Sequence, residues 1–228
     1  MYEILFLVDN SELVEGVKST WGLSILVKSP SEKLLFDVGP SFSLLTANAS
    51  KLGEDLSDVN TVVISHMHSD HAGALKAFID FNPAVRIFLP ASPLSPHYFH
   101  ANLTYVKGWL ALSEGIHVTG PFPSFPEQAL AILSRRGPFI LVGCSHPGLT
   151  SILKKVVEET GVSGILGVAG GFHVSVSKEL LIAAEYLKTL SPSIVVPSHC
   201  TSQGAIDYLK SELGECVVKG GVGLRLTI

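Results

Sequence analysis

The chain of 228 residues contains 46% hydrophobic residues and has a formal net charge of −4, which favours one well-buried domain spanning residues 1–228. It contains no basic run that could follow a phosphate backbone, so a nucleic-acid partner is disfavoured. The apolar N-terminal segment contains Glu3 and lacks the basic residues of a signal peptide. No stretch of the chain reaches the roughly 18 consecutive apolar residues of a membrane-spanning helix. We therefore predict a cytoplasmic protein with no membrane partner.

Short apolar runs predict strands at the start of the chain, over residues 2–8, 21–28 and 33–38, separated by Asn, Ser, Gly and Pro. A helical pattern follows over 41–52. The third strand ends at Asp37, where a buried run gives way to a turn. From the residues alone, this carboxylate either caps the following helix or serves a nearby site, and both interpretations stay open.

The strongest chemical signal is an apolar run followed by three histidines and an aspartate within six positions, TVVISHMHSDHAGAL. In an extended strand His66 and His68 point the same way, and Asp70 and His71 come where the chain turns into a helical pattern. Imidazole and carboxylate are donors that suit Zn²⁺, iron or Mn²⁺. The pattern therefore predicts a site for one or two ions, preferably zinc, with all four side chains as ligands.

After a predicted helix over 71–80 and a strand over 86–90, residues 91–127 are the least regular part of the chain. Such long segments are often lids, and the aromatic residues here either cover a flat substrate or pack as a local cluster. These aromatic residues are Tyr98, Phe99, Tyr105, Trp109, Phe122 and Phe125. Three histidines of the segment lack motif spacing and are not expected to be ligands, namely His97, His100 and His117.

The second half of the chain repeats a strand, bend and helix rhythm. A hairpin is predicted over 128–143, closing strands over 216–228, and helices over 149–160, 178–190 and 203–213.

This rhythm places three further histidines at one sheet edge. His146 follows a buried strand and precedes a helix, as the first motif does, so we predict that it joins His66 and His68 on one ion. His199 is the predicted last ligand of a second ion, together with Asp70 and His71.

Two groups of segments resemble a known family. The run SHMHSDH resembles the signature of the metallo-β-lactamase superfamily, and GCSHPG, GGFH and PSHCT resemble its dihydropterin synthase-like branch. The resemblance implies an α/β fold, a four-layer αββα sandwich of two mixed β-sheets flanked by helices, with a mononuclear or dinuclear metal site. It also implies that Asp37 orients the metal ligands through hydrogen bonds without itself binding the metal.

The branch resemblance implies two kinds of activity. Its characterised activity joins a dihydropterin diphosphate to a ribosylated aminobenzene phosphate in methanopterin biosynthesis, while many members are assigned only as metal-dependent hydrolases. Ser202 stands where the branch usually has glycine, which weakens transfer of an exact substrate.

One departure from the superfamily concerns the bridge between two ions. Many dinuclear members use an aspartate there, but this chain has no Asp between Asp80 and Asp207. His173 occupies the expected region, and a neutral imidazole bridges two cations poorly. We therefore predict that His173 contacts the substrate or transition state.

The cysteines are three in number and lack CxxC spacing, which disfavours a disulfide framework. Cys144 and Cys200 lie close in sequence to predicted ligands, and zinc accepts thiolate. Because a side chain beside a ligand in a strand faces the opposite way, we predict that Cys200 is a buried packing residue, and neither cysteine is expected to be a ligand.

The predicted chemistry is hydrolysis. A water molecule held by such an ion would have its pKa lowered from about 16 to roughly 7, giving a metal-activated hydroxide at neutral pH. Asp70 would hold its proton, and the second ion or His173 would stabilise the developing negative charge. The sequence thus predicts a metal-dependent hydrolase of a small phosphorylated or ester-type substrate.

The alternative is a dihydropterin-diphosphate-dependent transferase with diphosphate as leaving group. A diiron redox enzyme and a non-enzymatic binding module are further classes. The first usually comes with a flavin-binding domain, and the second does not need this many converging ligands.

Overall fold

The computed structural model describes residues 1–92 and 102–228. They form two compact units, one of Met1–Lys107 with Gly221–Ile228 and the other of Gly108–Gly220. Each unit contains one mixed β-sheet with helices, and the predicted α/β class with two mixed sheets and flanking helices is confirmed. Among the described residues, no helix is both long and apolar enough to cross a membrane.

The described residues of the first unit form a seven-stranded sheet and three helices. The strands are β1 (Glu3–Val8), β2 (Ser24–Lys28), β3 (Lys33–Phe36), β4 (Thr61–Val63), β5 (Arg86–Pro90), β6 (Leu103–Val106) and β13 (Arg225–Thr227). The helices are α1 (Phe42–Lys51), α2 (Ser69–Ala72) and α3 (Leu75–Phe81). The strand order is β13-β1-β2-β3-β4-β5-β6, antiparallel from β13 to β3 and parallel from β3 to β6.

The core of this unit lies between the sheet and its helices. Leu45 of α1 and Phe78 of α3 are fully buried in one cluster with sheet residues such as Leu35 and Val62. Burying a side chain of this size contributes roughly 1.5–3 kcal/mol. Because β1, β3 and β4 are nearly continuous buried apolar runs, the pattern of apolar residues does not by itself specify which sheet face carries the helices.

The predicted helix over 71–80 is two helices, α2 and α3. The Ala74 N–H donates to the Gly39 carbonyl at 3.0 Å, outside the helix, so the hydrogen-bond pattern is interrupted there. At Gly73 an added Cβ would lie 2.8 Å from the Pro40 carbonyl oxygen. Close packing of the bend against the turn after β3 therefore divides the helix.

The second unit contains a six-stranded sheet and three long helices. The strands are β7 (Leu110–Ser113), β8 (Ile116–Val118), β9 (Leu130–Ser134), β10 (Gly137–Val142), β11 (Gly167–Gly171) and β12 (Ile194–Ser198). The helices are α4 (Leu149–Thr160), α5 (Lys178–Leu190) and α6 (Gln203–Leu213). Their bounds match the predicted helices, and the predicted hairpin is β9 paired antiparallel with β10.

The order of this sheet is β12-β11-β10-β9-β8-β7, with the first three strands parallel and the rest antiparallel. Helices α4, α5 and α6 cover one face through a cluster that includes Ile152, Leu187 and Leu209. Three parallel strands thus end side by side, each followed by a bend and a helix.

Residues 91–127 are more regular than predicted, because β6, β7 and β8 lie within them. These strands are three or four residues long and several of their side chains are exposed, so their apolar pattern is weak. His97, Tyr98, Phe99 and His100 lie outside the described residues. Of the closing strands predicted over 216–228, the structure contains β13.

Candidate metal centre

The first unit brings its four predicted ligands together. His66 Nε2 lies 3.0 Å from His68 Nδ1, and His71 Nε2 lies 3.5 Å from Asp70 Oδ2. The rings of His66 and His71 have centroids 4.2 Å apart. Two nitrogen ligands of one tetrahedral zinc ion, each bound at about 2.0 Å, lie about 3.3 Å apart. The spacing and the nitrogen and oxygen donors therefore fit a divalent transition metal.

The reason for this convergence differs from the predicted one. Strand β4 ends at Val63, so His66 and His68 lie in a loop and strand alternation does not align them. The Ser65 N–H donates to Asp37 Oδ1 at 2.6 Å instead of to a neighbouring strand. This hydrogen bond to a side chain replaces a hydrogen bond of the sheet, so the strand ends here and the loop that carries both histidines begins.

Asp37 is fully buried behind these ligands. Its Oδ2 accepts hydrogen bonds from His71 Nδ1 and from the Ser65 hydroxyl, both at 2.7 Å. Burial raises the pKa of the Asp37 carboxyl, and the attraction of His71 and Ser65 offsets part of that rise. Because the side chain of Ser41 caps α1, Asp37 does not serve as the helix cap. Because Asp37 occupies Nδ1, Nε2 is the nitrogen that His71 could offer to a metal ion.

Glu127 makes the corresponding contact with His146 in the second unit, and sequence reasoning missed it. Its buried Oε2 accepts from the His146 N–H at 2.9 Å and from His146 Nδ1 at 2.7 Å. Its Oε1 accepts from the N–H groups of Cys144 and Ser145 at 2.8 and 2.7 Å. Burial acts to raise the pKa of Glu127, but hydrogen bonds from His146 and Ser145 outweigh it and the pKa is lowered.

A sequence signal for Glu127 was present. This carboxylate directly precedes the apolar run QALAIL, as Asp37 directly follows LLF. A carboxylate next to a buried strand needs partners. The prediction of a lid over residues 91–127 hides this signal.

Three histidines of the second unit, His146, His173 and His199, follow the ends of parallel strands. Val142 pairs with Gly170, and Gly171 pairs with Ser198, so β10, β11 and β12 end at one level. The rings of His146 and His173 have centroids 4.5 Å apart, and both residues line a cavity of about 450 Å³. His199 is buried and His173 is exposed. Within this unit the strand-end arrangement agrees with the predicted rhythm.

Backbone strain is concentrated at these strand ends. Among the described residues other than glycine, positive φ angles occur at Asp37 (59°), Ser145 (62°), His173 (48°) and His199 (49°), and also at Ser191. Such conformations cost about 1–3 kcal/mol each and persist where the surrounding structure requires them. The strain therefore supports a functional site at the strand ends.

Two of the cysteines lie beside these histidines. The candidate ligand atoms of Cys144, His173 and Cys200 all lie within 4.8 Å of one another. Cys144 is buried, and the thiol of Cys200 contacts the Cys144 carbonyl oxygen at 3.7 Å. At Gly171 an added Cβ would lie 2.6 Å from Cys200 Sγ, so glycine is needed for this packing. The packing function proposed for Cys200 stays a prediction.

The described aromatic residues of 102–127 pack against the protein. Trp109 stacks on His117 with ring centroids 5.1 Å apart, and Trp109 and Phe122 contact the core of the second unit. Phe125 stacks on His146 with centroids 4.3 Å apart. Tyr105 contacts the core of the first unit. For these four residues the local-cluster alternative describes the contacts.

Comparisons with known proteins agree with this fold. Residues 22–199 match the model of the metallo-β-lactamase superfamily. The chain is 25% identical, over 86% of each sequence, to 7,8-dihydropterin-6-methyl-4-(β-D-ribofuranosyl)-aminobenzene-5′-phosphate synthase of Methanocaldococcus jannaschii. It is 30% identical over 92 residues to the N-acyl homoserine lactonase AiiB of Agrobacterium fabrum, a match that covers 36% of this chain and 32% of the lactonase.

A solved structure is similar over the whole chain. It is the crystal structure of a metal-dependent hydrolase of the β-lactamase superfamily, with 28% identity and a TM-score of 0.84, and the match covers 100% of this chain and 99% of that one. The family match and the two mixed sheets lead to the same assignment. The chain belongs to the metallo-β-lactamase superfamily.

Proposed function

We propose that this protein is a metal-dependent hydrolase of a small molecule with a phosphate or carboxylic ester. The observation that carries the proposal is the spacing of the four donor side chains in the first unit, 3.0 Å between His66 and His68 and 3.5 Å between His71 and Asp70. Donors at such distances repel one another or share protons unless a cation lies among them. A ligand set of this kind favours a resident metal ion.

We propose the ligand sets predicted from the sequence. His66, His68 and His146 would hold one ion, and Asp70, His71 and His199 would hold a second. The nitrogen and oxygen donor set accepts zinc, iron or manganese, with zinc our preferred ion. When bound, the metal supplies a water of low pKa as nucleophile and polarises the scissile group.

The protein's own residues orient the imidazole rings and hold or move protons at this centre. Asp37 and Glu127 fix the ring orientation and tautomer of His71 and His146 through contacts of 2.7 Å. Asp70 is half-buried, and we assign it the proton of the attacking water. We assign His173, exposed beside the cavity, to the substrate or to the charge of the transition state.

The dihydropterin-type transferase is the second candidate. The synthase of Methanocaldococcus jannaschii, similar over 86% of this chain, favours it. In that reaction the same ligand set would hold a diphosphate leaving group, and the site would have to exclude water. Diphosphate release that requires both a dihydropterin diphosphate and a ribosylated aminobenzene phosphate would support it over hydrolysis.

The experiment combines metal content with activity. Protein prepared with Zn²⁺, Mn²⁺ or Fe²⁺ is tested on phosphate monoesters and diesters, carboxylic esters and lactones, and its bound metal is measured by mass spectrometry. We expect His68→Ala and His146→Ala to lose metal and turnover, while His117→Ala, a histidine outside the proposed set, keeps both. Unchanged metal content in His146→Ala would refute the assignment of His146 as a ligand. The cytoplasmic location stays a prediction.

A further inference from the structure

Two cysteines of the second unit approach each other across a strand that separates them. Cys144 lies two residues after the end of β10, and Cys200 lies two residues after the end of β12. Strand β11 lies between these two strands, and strands two positions apart in a sheet are separated by about 9.5 Å. Even so, Cys144 Sγ and Cys200 Sγ lie within 4.8 Å of each other. The two bends therefore turn their thiols toward the same point.

This approach depends on a glycine at the end of β11. At Gly171 an added Cβ would lie 2.6 Å from Cys200 Sγ and 2.5 Å from the Gly143 carbonyl oxygen. A residue with a side chain would thus occupy the space into which the thiol of Cys200 extends. That thiol also donates to the Cys144 carbonyl oxygen at 3.7 Å, which directs it across β11. The missing side chain of Gly171 lets the two thiols meet.

The geometry and the exposure of the two thiols suit a disulfide bond. The sulfurs of a disulfide are about 2.05 Å apart, so these two atoms need to approach by less than about 3 Å. Cys200 is half-buried, whereas Cys144 is buried. A small oxidant from solvent would therefore react with Cys200, and Cys144 would then supply the second sulfur.

The remaining cysteine, Cys216, provides an internal control. Its neighbour Val217 pairs with Val195 near the start of β12, so Cys216 lies at the opposite end of that strand from Cys200. Burial raises the pKa of the Cys216 thiol, which keeps it protonated and less reactive toward oxidants.

We propose that Cys144 and Cys200 form a reversible disulfide bond under oxidising conditions, and that this bond displaces a histidine of the candidate metal centre. In the first step the sulfur of Cys200 takes one oxygen from hydrogen peroxide, giving a sulfenic acid and water. In the second step the sulfur of Cys144 bonds to that of Cys200, and the hydroxyl leaves as water with the thiol proton. Two thiols thus lose two electrons and two protons, and one peroxide becomes two waters. A dithiol reductant reverses the bond by exchange and is itself oxidised.

The hydrogen bonds of the two bends determine which of them moves. The N–H groups of Cys144 and Ser145 both donate to the buried Oε1 of Glu127, at 2.8 and 2.7 Å. His199, directly before Cys200, has a strained backbone with φ of 49°. Closure of the bond therefore moves Cys200 more than Cys144, and His199 shifts with it. The pairing of the thiols does not depend on the proposed function, whereas its effect on metal binding rests on His199 being a ligand.

The first experiment counts thiols. The full chain is treated with a small excess of hydrogen peroxide, quenched with catalase, unfolded and titrated with a chromogenic thiol reagent. We expect the number of thiols to fall from three to one, the intact mass to fall by two hydrogens, and a cross-linked peptide pair to contain Cys144 and Cys200. Three remaining thiols, or added oxygen without a cross-link, would refute the pairing.

Three serine variants separate the cysteines from one another. Cys216→Ser should form the cross-link as the wild type does. Cys144→Ser should stop at the sulfenic acid of Cys200, which dimedone traps, and Cys200→Ser should keep the thiol of Cys144. A cross-link in Cys144→Ser or in Cys200→Ser would show that Cys216 takes part and would refute the assigned pair.

The second experiment measures zinc affinity of reduced and oxidised protein by competition with a chromogenic chelator. We expect oxidation to weaken zinc binding about 10–100-fold, as loss of a ligand's orientation does, and dithiothreitol to restore it. Peroxide-treated Cys200→Ser should bind zinc as its untreated form does. A disulfide with unchanged zinc affinity would refute the displacement of His199. Absence of zinc binding by the reduced protein would refute the metal centre and this effect on it, while the thiol count still decides the pairing.

Discussion

The Glu127→Gln variant tests whether a buried carboxylate organises the second ligand set. Gln has nearly the same shape, and its amide oxygen can still accept from the Cys144 and Ser145 N–H groups that contact Oε1 at 2.8 and 2.7 Å. Its amide nitrogen replaces Oε2, which accepts from the N–H and Nδ1 of His146 at 2.9 and 2.7 Å. The N–H and Nδ1 donors of His146 would then face the N–H groups of the glutamine amide, which are donors too.

The expected magnitude follows from these two contacts. A buried donor without an acceptor costs about 1–3 kcal/mol, so the free energy of unfolding should fall by about 2–6 kcal/mol. Loss of the orienting contact should also weaken metal binding about 10–100-fold. The first value is a large fraction of a typical stability of about 5–15 kcal/mol.

The assay pairs urea unfolding with competition for zinc by a chromogenic chelator. Glu159→Gln removes a carboxylate from the exposed surface of α4 and is the control, since such changes usually alter stability by less than about 0.5 kcal/mol. If Glu127→Gln and Glu159→Gln behave alike in both measurements, Glu127 does not hold His146 for a metal and the reasoning is wrong.

Four further outcomes are expected. Asp37→Asn should weaken zinc binding about 10–100-fold, as measured by competition with a chelator. Asn tolerates the φ of 59° at this position, so the backbone should not change. Unchanged zinc affinity would count against an orienting effect of the contact with His71. Cobalt-loaded protein should show no thiolate charge-transfer band, and a band that disappears in Cys144→Ser would identify a thiolate ligand instead of a packing residue. Gly171→Ala should destabilise by about 1–3 kcal/mol in urea, since its Cβ would lie 2.5 Å from the Gly143 carbonyl oxygen; Gly108→Ala, where an added Cβ meets nothing within 4 Å, should differ from wild type by less than about 0.5 kcal/mol. Burial lowers the pKa of His117, so the unfolded chain binds that proton more strongly, and the free energy of unfolding should fall as the pH decreases below about 6.5. His117→Gln should reduce this loss of stability between pH 7.5 and 5.5. An equal loss in the variant and the wild type would contradict a lowered pKa of His117.

The sequence by itself determined the elements with strong local patterns. Helices α4, α5 and α6 have the predicted bounds because each combines an apolar stripe with a clear signal at one end or both, such as the cap of α5 by Ser177 and the glycine after α4. The histidine motif was recognisable because its four donors lie within six positions, so local chain geometry limits how far apart they can be.

Only the tertiary structure decided what depends on distant partners. Glu127 precedes its histidine by 19 positions and Asp37 precedes His71 by 34, and no local pattern specifies such hydrogen bonds. The same holds for β6 to β8, whose short, half-exposed segments become strands because neighbouring strands supply backbone partners. Local periodicity specifies elements, whereas the hydrogen bonds that orient the site's imidazoles are satisfied only once the sheets have formed.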